Sequence, residues 1–546
     1  MRLSKRELKE GLGRLPLLPE FYWRVVYQGK PQSRKASLQS LREQIPQWKV
    51  QARTIASQNS GSQRPKKRIA LFSSYKLWLR HSALLAIALA CWGHSVTLAY
   101  LPYLTWRRKM LSFNLRIQNV YLKDVLAQLA PWVKVVPLYS AKRTFPKPEL
   151  PSALEQALQE VSLRDTQYTL QIEHFDPADL SSEAGRLYAL RMERNCLAAA
   201  WAWEWLKKEK PELLLVPNGS ILEFGAIYQV AKFLGIPTVT YEFGEQRQRI
   251  WLALNEEVML QNTDSVWQAH ASQPFEEEQR EKLAALLSAR SQADLWENFS
   301  RRWQRAQRQG IETVRQQLAL AEKPTFLLAT NVIGDSLTLN RQIFSHSMTE
   351  WIERTLQFFA RHPQVQLILR IHPGERHTCG PSVKEIVAAT LPVLPEHFRV
   401  VGADESTNTY DLIELADVGL VYTTTTGLEM AMSGLPVIVA GKTHYRRRGF
   451  TFDPASWEEY FALLERAIAD PSSLRLSPDQ VERAWHYAYV FFFEYPFPFP
   501  WHLHLKDDLE QWPLQKVFSE EGQKLFGLTF SRLCGETTGE ANLASG

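Results

Sequence analysis

From Lys67 onward the chain alternates short apolar runs with longer segments of helical spacing. Arg68-Ile69-Ala70-Leu71-Phe72 is followed by a helical pattern over Leu77 to Ala90 and then by the run Val96-Thr97-Leu98-Ala99-Tyr100. Runs this short and uniformly apolar predict buried strands, so the segment opens as a βαβ unit. Leu213-Leu214-Leu215-Val216 predicts a further strand, followed by the turn Pro217-Asn218-Gly219-Ser220, a helix through Leu234, and the strand Ile236 to Tyr241. An N-terminal domain of doubly wound type is expected.

The second half repeats the scheme with clearer punctuation. Strands are predicted at Pro324 to Ala329, Val365 to Ile371, Phe398 to Val401, Val418 to Tyr422 and Pro436 to Ala440. Helices fall between them at Met348 to Ala360, Val383 to Leu391, Tyr410 to Ala416, and from Thr423-Thr426 to Met432. Strands alternating with helices at this interval imply a parallel sheet with right-handed crossovers, and such sheets bind ligands at their carboxyl edge.

The flanking segments differ in character. Residues 1–65 read as a basic N-terminal extension ending in the polar linker Ser57 to Gln63, residues 66–260 as an N-terminal Rossmann-like domain, 261–322 as a helical connector, 323–470 as a C-terminal Rossmann-like domain, and 471–546 as a helical and aromatic C-terminal extension. The most hydrophobic stretch, Ser82 to Leu104, holds Trp92-Gly93-His94-Ser95 at its middle. It reads as helix, turn and strand rather than a membrane span.

Composition sharpens this picture in three places. A chain of 546 residues exceeds one ordinary core, so two domains are the natural prior, and 45% apolar with 22% charged residues is a globular composition. Residues 1–68 carry 16 Lys/Arg against 4 Asp/Glu, a net +12 in a chain of net +6, so the basicity belongs to the leader and the remainder is acidic by 6. The leader reads either as a solvated extension or as a surface for acidic membrane lipid or an export-complex partner. Cys91, Cys196, Cys379 and Cys534 lie far apart without a C-x-x-C pair, and Met1 to Glu10 has no signal-peptide core. A cytoplasmic protein is expected, peripheral at the inner face of the membrane if the leader docks there, with nothing pointing to nucleic acid.

Candidate chemistry gathers at the predicted carboxyl edges. In the second half, Asn331 and Asp335 follow the first strand, Arg370 and His372 end the second, and Thr423, Thr424, Thr425 and Thr426 follow the fourth. Hydroxyls and backbone N–H groups at a helix start can hold a diphosphate. Thr426 and Glu429 also fit a capping box, T-x-x-E, which needs no ligand. The basic loop His444-Tyr445-Arg446-Arg447-Arg448 reads either as an anion-attracting surface or as a solvated one. In the first half Glu242, directly after the strand ending at Tyr241, is the candidate general base, with a loop acid salt-bridged beside Arg247 and Arg249 as its other reading. Glu223 competes with it, but Ser220-Ile221-Leu222-Glu223 is itself a capping-box pattern.

Together Arg370-Ile371-His372-Pro373, the run Thr423 to Thr426 with Gly427-Leu428-Glu429, and Gly434 to Gly441 with His444-Tyr445 and Gly449-Phe450-Thr451 resemble the bacterial capsule polysaccharide biosynthesis family. This is a GT-B group related to Kdo and sialic-acid transferases, with an HP motif and a Ser/Thr-rich motif. The likeness runs from about Pro324 to Pro471 and is weaker over residues 66–260. It implies an α/β, GT-B-like fold of two doubly wound Rossmann-type domains facing a central cleft. It also implies glycosyl transfer from a nucleotide-sugar donor, often CMP-linked, to a surface polysaccharide or glycolipid acceptor. His372 and the threonines would hold the donor phosphate, Glu429 would bind ribose or cap its helix, and Glu242 would be the base. With no D-x-D motif at a strand end, a metal-independent mechanism is expected. A UDP-sugar 2-epimerase and a non-catalytic nucleotide- or glycan-binding scaffold of the same fold are the competing readings.

Overall fold

The computed structural model describes residues 4–58, 66–139, 150–244, 246–294, 306–505 and 507–536. The chain divides into two compact units, the first built from residues 1–165, 177–260 and 497–546, the second from 166–176 and 261–496. Each has its own parallel sheet.

In the first unit the strands are β1 (Arg68–Ser74), β2 (Ser95–Leu101), β3 (Val133–Pro137), β4 (Leu213–Pro217), β5 (Thr238–Glu242) and β6 (Arg249–Leu254). Its sheet runs β6-β5-β4-β1-β2-β3, with β5-β4-β1-β2-β3 parallel and β6 antiparallel to β5. The strand order reverses between β1 and β4, and that is where an open α/β sheet forms its carboxyl-edge crevice. The stretch Ser82 to Leu104 resolves into the helix Lys76–Cys91, a turn and β2. Among the described residues no helix is long and apolar enough to cross a membrane.

The leader departs from a solvated extension. Helix Gln39–Gln58 buries Leu41, Ile45, Trp48, Ala52 and Ile55, an i, i+4, i+7 stripe that joins the core around helix Lys76–Cys91. The Leu38 N–H donates to the Tyr121 hydroxyl at 2.8 Å. Residues 59–65 of the expected linker lie outside the described residues. The C-terminal segment also separates: residues 471–496 pack in the second unit, whereas 497–536 return to the first, where Phe499, Trp501, Phe526 and Phe530 enter the same core. The segment 261–322, of which 295–305 are not described, belongs to the second unit.

The second unit contains β7 (Thr325–Ala329), β8 (Gln366–Arg370), β9 (Phe398–Val401), β10 (Val418–Val421) and β11 (Val437–Val439), all parallel in the order β11-β10-β7-β8-β9. The two-residue β12 (Phe497–Pro498) pairs with β6 in the first unit. Both units are therefore α/β and Rossmann-like, the class expected for a GT-B-like chain. Every residue of β7, β8, β10 and β11 is buried, which is why these strands are so legible as apolar runs.

Trp48 tests the packing of the leader. Trp48→Ala is expected to lower the stability of the first unit by about 3–5 kcal/mol in urea unfolding followed by far-ultraviolet circular dichroism. A solvated extension would leave the transition unmoved.

Candidate functional site

In the second sheet the order reverses between β7 and β10, and the residues leaving those strands are bonded across the gap. The Asn331 carboxamide oxygen accepts the backbone N–H of Thr423 at 3.2 Å and lies 3.2 Å from its hydroxyl, whose one proton is donated to the Leu337 carbonyl at 2.8 Å. One step along β8, the Thr330 hydroxyl accepts the His372 N–H at 3.1 Å. Asn331, Thr423 and the backbone of His372 are thus brought together on β7, β8 and β10.

The threonine run has one conformation forced on it from below. The Tyr445 hydroxyl donates to the Thr424 carbonyl at 2.6 Å, and a Cβ on Gly427 would collide with that hydroxyl, so only glycine fits there. The Thr424 hydroxyl turns toward Thr426, with 3.2 Å to its hydroxyl and 3.3 Å to its N–H. Helix Thr426–Met432 begins at Thr425, whose side chain makes no capping bond. Among the described residues, nothing accepts a hydrogen bond from the Thr424 N–H, the Thr425 N–H or the Thr425 hydroxyl. Three donors at the switch point of the sheet are therefore without an internal acceptor among the described residues.

His372 presents its ring in a defined state. Its Nδ1 accepts the Gly374 N–H at 3.0 Å, which in the neutral ring puts the proton on Nε2. The ring is half-buried.

Several candidate residues have other partners. Arg370 is buried, and its guanidinium donates to the Gly402 carbonyl at 2.7 Å and reaches the Thr409 hydroxyl at 3.5 Å. Burial draws it down to about 10, so it stays a cation bonded toward β9 rather than to the threonines. The Asp335 carboxylate accepts the Ser336 N–H at 2.7 Å and closes its own turn. Glu429 does not form the capping box that its spacing suggests. Its carboxylate pairs with Arg290 of helix Glu277–Ser291, whose guanidinium lies 5.3 Å from the Phe492 ring centre.

In the basic loop after β11, His444, Arg446 and Arg448 are structural as well, whereas Arg447 is exposed. His444 is buried, stacked on Phe491 with ring centres 3.7 Å apart, and its Nδ1 lies 3.0 Å from the Tyr487 hydroxyl. Burial holds it well below the ordinary histidine range, so it is neutral. Arg446 bonds the carbonyls of Val439 and Pro454, and Arg448 pairs with Asp264. Neither guanidinium is available as an anion-attracting surface.

In the first unit Glu242 is the last residue of β5, paired with Trp251 of β6, rather than a residue after the strand. Its carboxylate accepts the Asn218 carboxamide N–H at 2.8 Å and the Phe243 N–H at 3.0 Å. No basic side chain pairs with it among the described residues, so the expected bridge to Arg247 or Arg249 is not formed. Burial pushes its pKa up, and those two donors only partly offset the shift. Glu223 has a different role from the expected cap. It is fully buried, 3.0 Å from Arg191 and accepting the Tyr75 hydroxyl at 2.6 Å, while Arg191 also pairs with Asp165 at 3.1 Å. Asp165, not Ser220, caps the following helix by accepting the Leu222 N–H at 2.5 Å.

Thr330 is absent from the sequence reading, and Tyr445 and Asn218 appear there without the roles they have here. Thr330 had a signal, being the first polar residue after an apolar strand. The other two act through bonds that no local spacing records.

Residues 286–467 match the family model described as capsule polysaccharide biosynthesis protein. Over this segment, about a third of its length, the chain is similar to that family. The matched segment spans all of the second unit's sheet, including the threonine run and His372. No curated protein gives a significant match to the chain. Among solved structures, the Thermosulfurimonas dismutans KpsC beta Kdo 2,4 transferase is 14% identical, with 50% of this chain and 79% of that one covered and a TM-score of 0.32. The beta Kdo 2,7 transferase of the same KpsC is 13% identical, over 52% of this chain and 78% of that one, with a TM-score of 0.30. UDP-GlcNAc 2-epimerase from Neisseria meningitidis bound to UDP-GlcNAc is 12% identical, over 78% and 100%, with a TM-score of 0.25.

Arg290→Met separates a structural Glu429 from a ligand-binding one. It leaves a buried carboxylate unpaired and is expected to cost the second unit about 3–5 kcal/mol in urea unfolding. An unchanged unfolding midpoint would show that Glu429 needs no internal cation.

Proposed function

We propose that the chain is a glycosyltransferase that takes a sugar from a nucleotide-sugar donor, CMP-linked as the family resemblance implies, and passes it to a glycan or glycolipid acceptor of capsular type. The observation that carries this reading is the set of three unengaged donors on Thr424 and Thr425 at the switch point of the second sheet. Backbone N–H groups and a hydroxyl at a helix start favour an anion, and a phosphate oxygen supplies the acceptors they lack. His372 stands on the neighbouring strand edge with its proton on Nε2, suited to donate to the leaving phosphate. In the proposed reaction the acceptor hydroxyl oxygen bonds to the anomeric carbon, the bond from that carbon to the phosphate oxygen breaks, and the hydroxyl proton passes to Glu242.

Glu242 fits a base because its carboxylate is raised by burial and carries no cation to hold it permanently charged. A base works deprotonated, so turnover should fall as pH drops through a midpoint above the ordinary carboxylate range. Asn218→Gly, which keeps the backbone able to adopt the positive φ of 58° at that position, removes a hydrogen bond that favours the charged form. Its acid limb is therefore expected at higher pH than that of the wild type. An unmoved limb would exclude Glu242 as the group that titrates.

The donor assignment is tested by calorimetry with CMP, UDP and GDP, followed by a donor-turnover assay. His372→Ala is expected to weaken nucleotide binding, and Glu242→Gln to lower turnover with binding retained. Equal nucleotide affinity for wild type and His372→Ala would defeat the phosphate assignment. Interconversion of a UDP-sugar at C2 without transfer would replace the reading with epimerisation, and binding without any turnover would replace it with a scaffold.

A further inference from the structure

The N-terminal helices expose a group of apolar side chains close together in sequence. Helix Leu18–Val25 packs Pro19 and Trp23 inward, while Leu17, Phe21 and Val25, four residues apart on the opposite side, face solvent. Leu17 is 67% exposed and Phe21 64%. Leu15 and Val26 extend the patch at either end, each about half exposed.

This face is held rigidly rather than left loose. Arg116, on helix Ser112–Leu126, donates to the carbonyls of Gly13 and Leu15 at 2.8 and 2.7 Å and forms a two-pronged pair with Glu20 at 2.9 and 2.5 Å. The turn between helix Lys5–Arg14 and helix Leu18–Val25 is thereby fixed, with one apolar side against the core and the other outward.

The exposed charge on and beside these helices is predominantly positive, with Glu7 and the half-buried Glu10 as the minority of opposite sign. Arg14, Arg24, Lys30, Arg34 and Lys35 are exposed on or beside these helices. Of the nearby acids, Glu20 is neutralised by Arg116, Glu10 accepts the Ser112 N–H, and Glu7 caps its own helix. Exposed aliphatic and aromatic tips rimmed by lysine and arginine match the chemistry of an anionic phospholipid surface, which takes the apolar groups at the acyl boundary and the cations at the headgroups. A second copy of the chain is a poorer occupant, because self-association would bring the cations against one another.

We infer that the face formed by Leu15, Leu17, Phe21, Val25 and Val26 docks the chain on a membrane surface containing acidic phospholipid. The inference stands on the leader alone and is independent of the transferase reading.

Co-sedimentation of the full chain with phosphatidylcholine vesicles, with and without phosphatidylglycerol, tests it. The wild type is expected to pellet with the acidic vesicles, to stay in solution with neutral ones, and to be released by salt. The pair Leu17→Ser and Phe21→Ser should weaken partition at least about tenfold, by removing two apolar anchors. The triple change Arg14→Gln, Arg24→Gln and Lys30→Gln should weaken it on the order of a hundredfold. All of these positions are exposed, so unfolding temperatures should match the wild type, and the charge-only variant keeps the test valid if the apolar one does not fold. Wild-type chain that stays in solution with acidic vesicles, binds neutral ones equally, or binds as before in both variants would overturn the inference. A concentration-dependent dimer abolished by Leu17→Ser and Phe21→Ser would also overturn it, assigning the face to a second copy.

Discussion

The carboxamide of Asn331 holds the N–H of Thr423 across the gap where the second sheet reverses its strand order. Two strands that diverge into opposite crossovers leave their carboxyl ends unpaired there, and this bond fixes how the chain departs from β10. With Thr423 pinned from one side and Thr424 pinned through its carbonyl by Tyr445, the next peptide units have little freedom. Their N–H groups and the Thr425 hydroxyl are turned away from internal acceptors. Leaving donors unmatched has a cost in a folded protein, and such costs tend to persist where a ligand relieves them.

The surrounding charges are arranged so that they do not compete for that position. Arg370, Arg446 and Arg448 are each engaged by carbonyls or a carboxylate, and His444 is kept neutral by burial. Glu429, directly beneath the threonines in sequence, would repel an anion if left free, but Arg290 neutralises it. None of these three guanidinium groups is bonded to the threonine run, and the backbone dipoles at the helix start remain to favour an anion there. In the first unit Glu242 is the mirror case, a carboxylate stabilised by two neutral donors and no cation.

How far the sequence revealed this depended on the range of the interaction. The strands of the second sheet are short, wholly buried runs between polar breaks, so their positions and the placement of the threonines and His372 at carboxyl ends could be read directly. β3 and β6 were not legible because their residues are mostly half-buried and lack a continuous apolar run. Capping boxes were inferred for Glu223 and Glu429 from local spacing, yet both carboxylates pair with arginines distant in sequence, Arg191 and Arg290. In the leader the stripe Leu41, Ile45, Trp48, Ala52, Ile55 carried a helical signal that the excess of basic residues obscured.

The most direct test is isothermal titration of the full chain with CMP, UDP and GDP, wild type against Thr425→Val. Thr425 makes no side-chain capping bond, so the change should leave folding intact while removing one donor and keeping the backbone N–H groups. If those donors hold a phosphate, one of the nucleotides binds and the variant binds it roughly ten- to a hundredfold more weakly, the loss of a hydrogen bond to a charged group worth about 1.5–3 kcal/mol. Equal affinity in wild type and variant, or no binding of any nucleotide, would contradict the account.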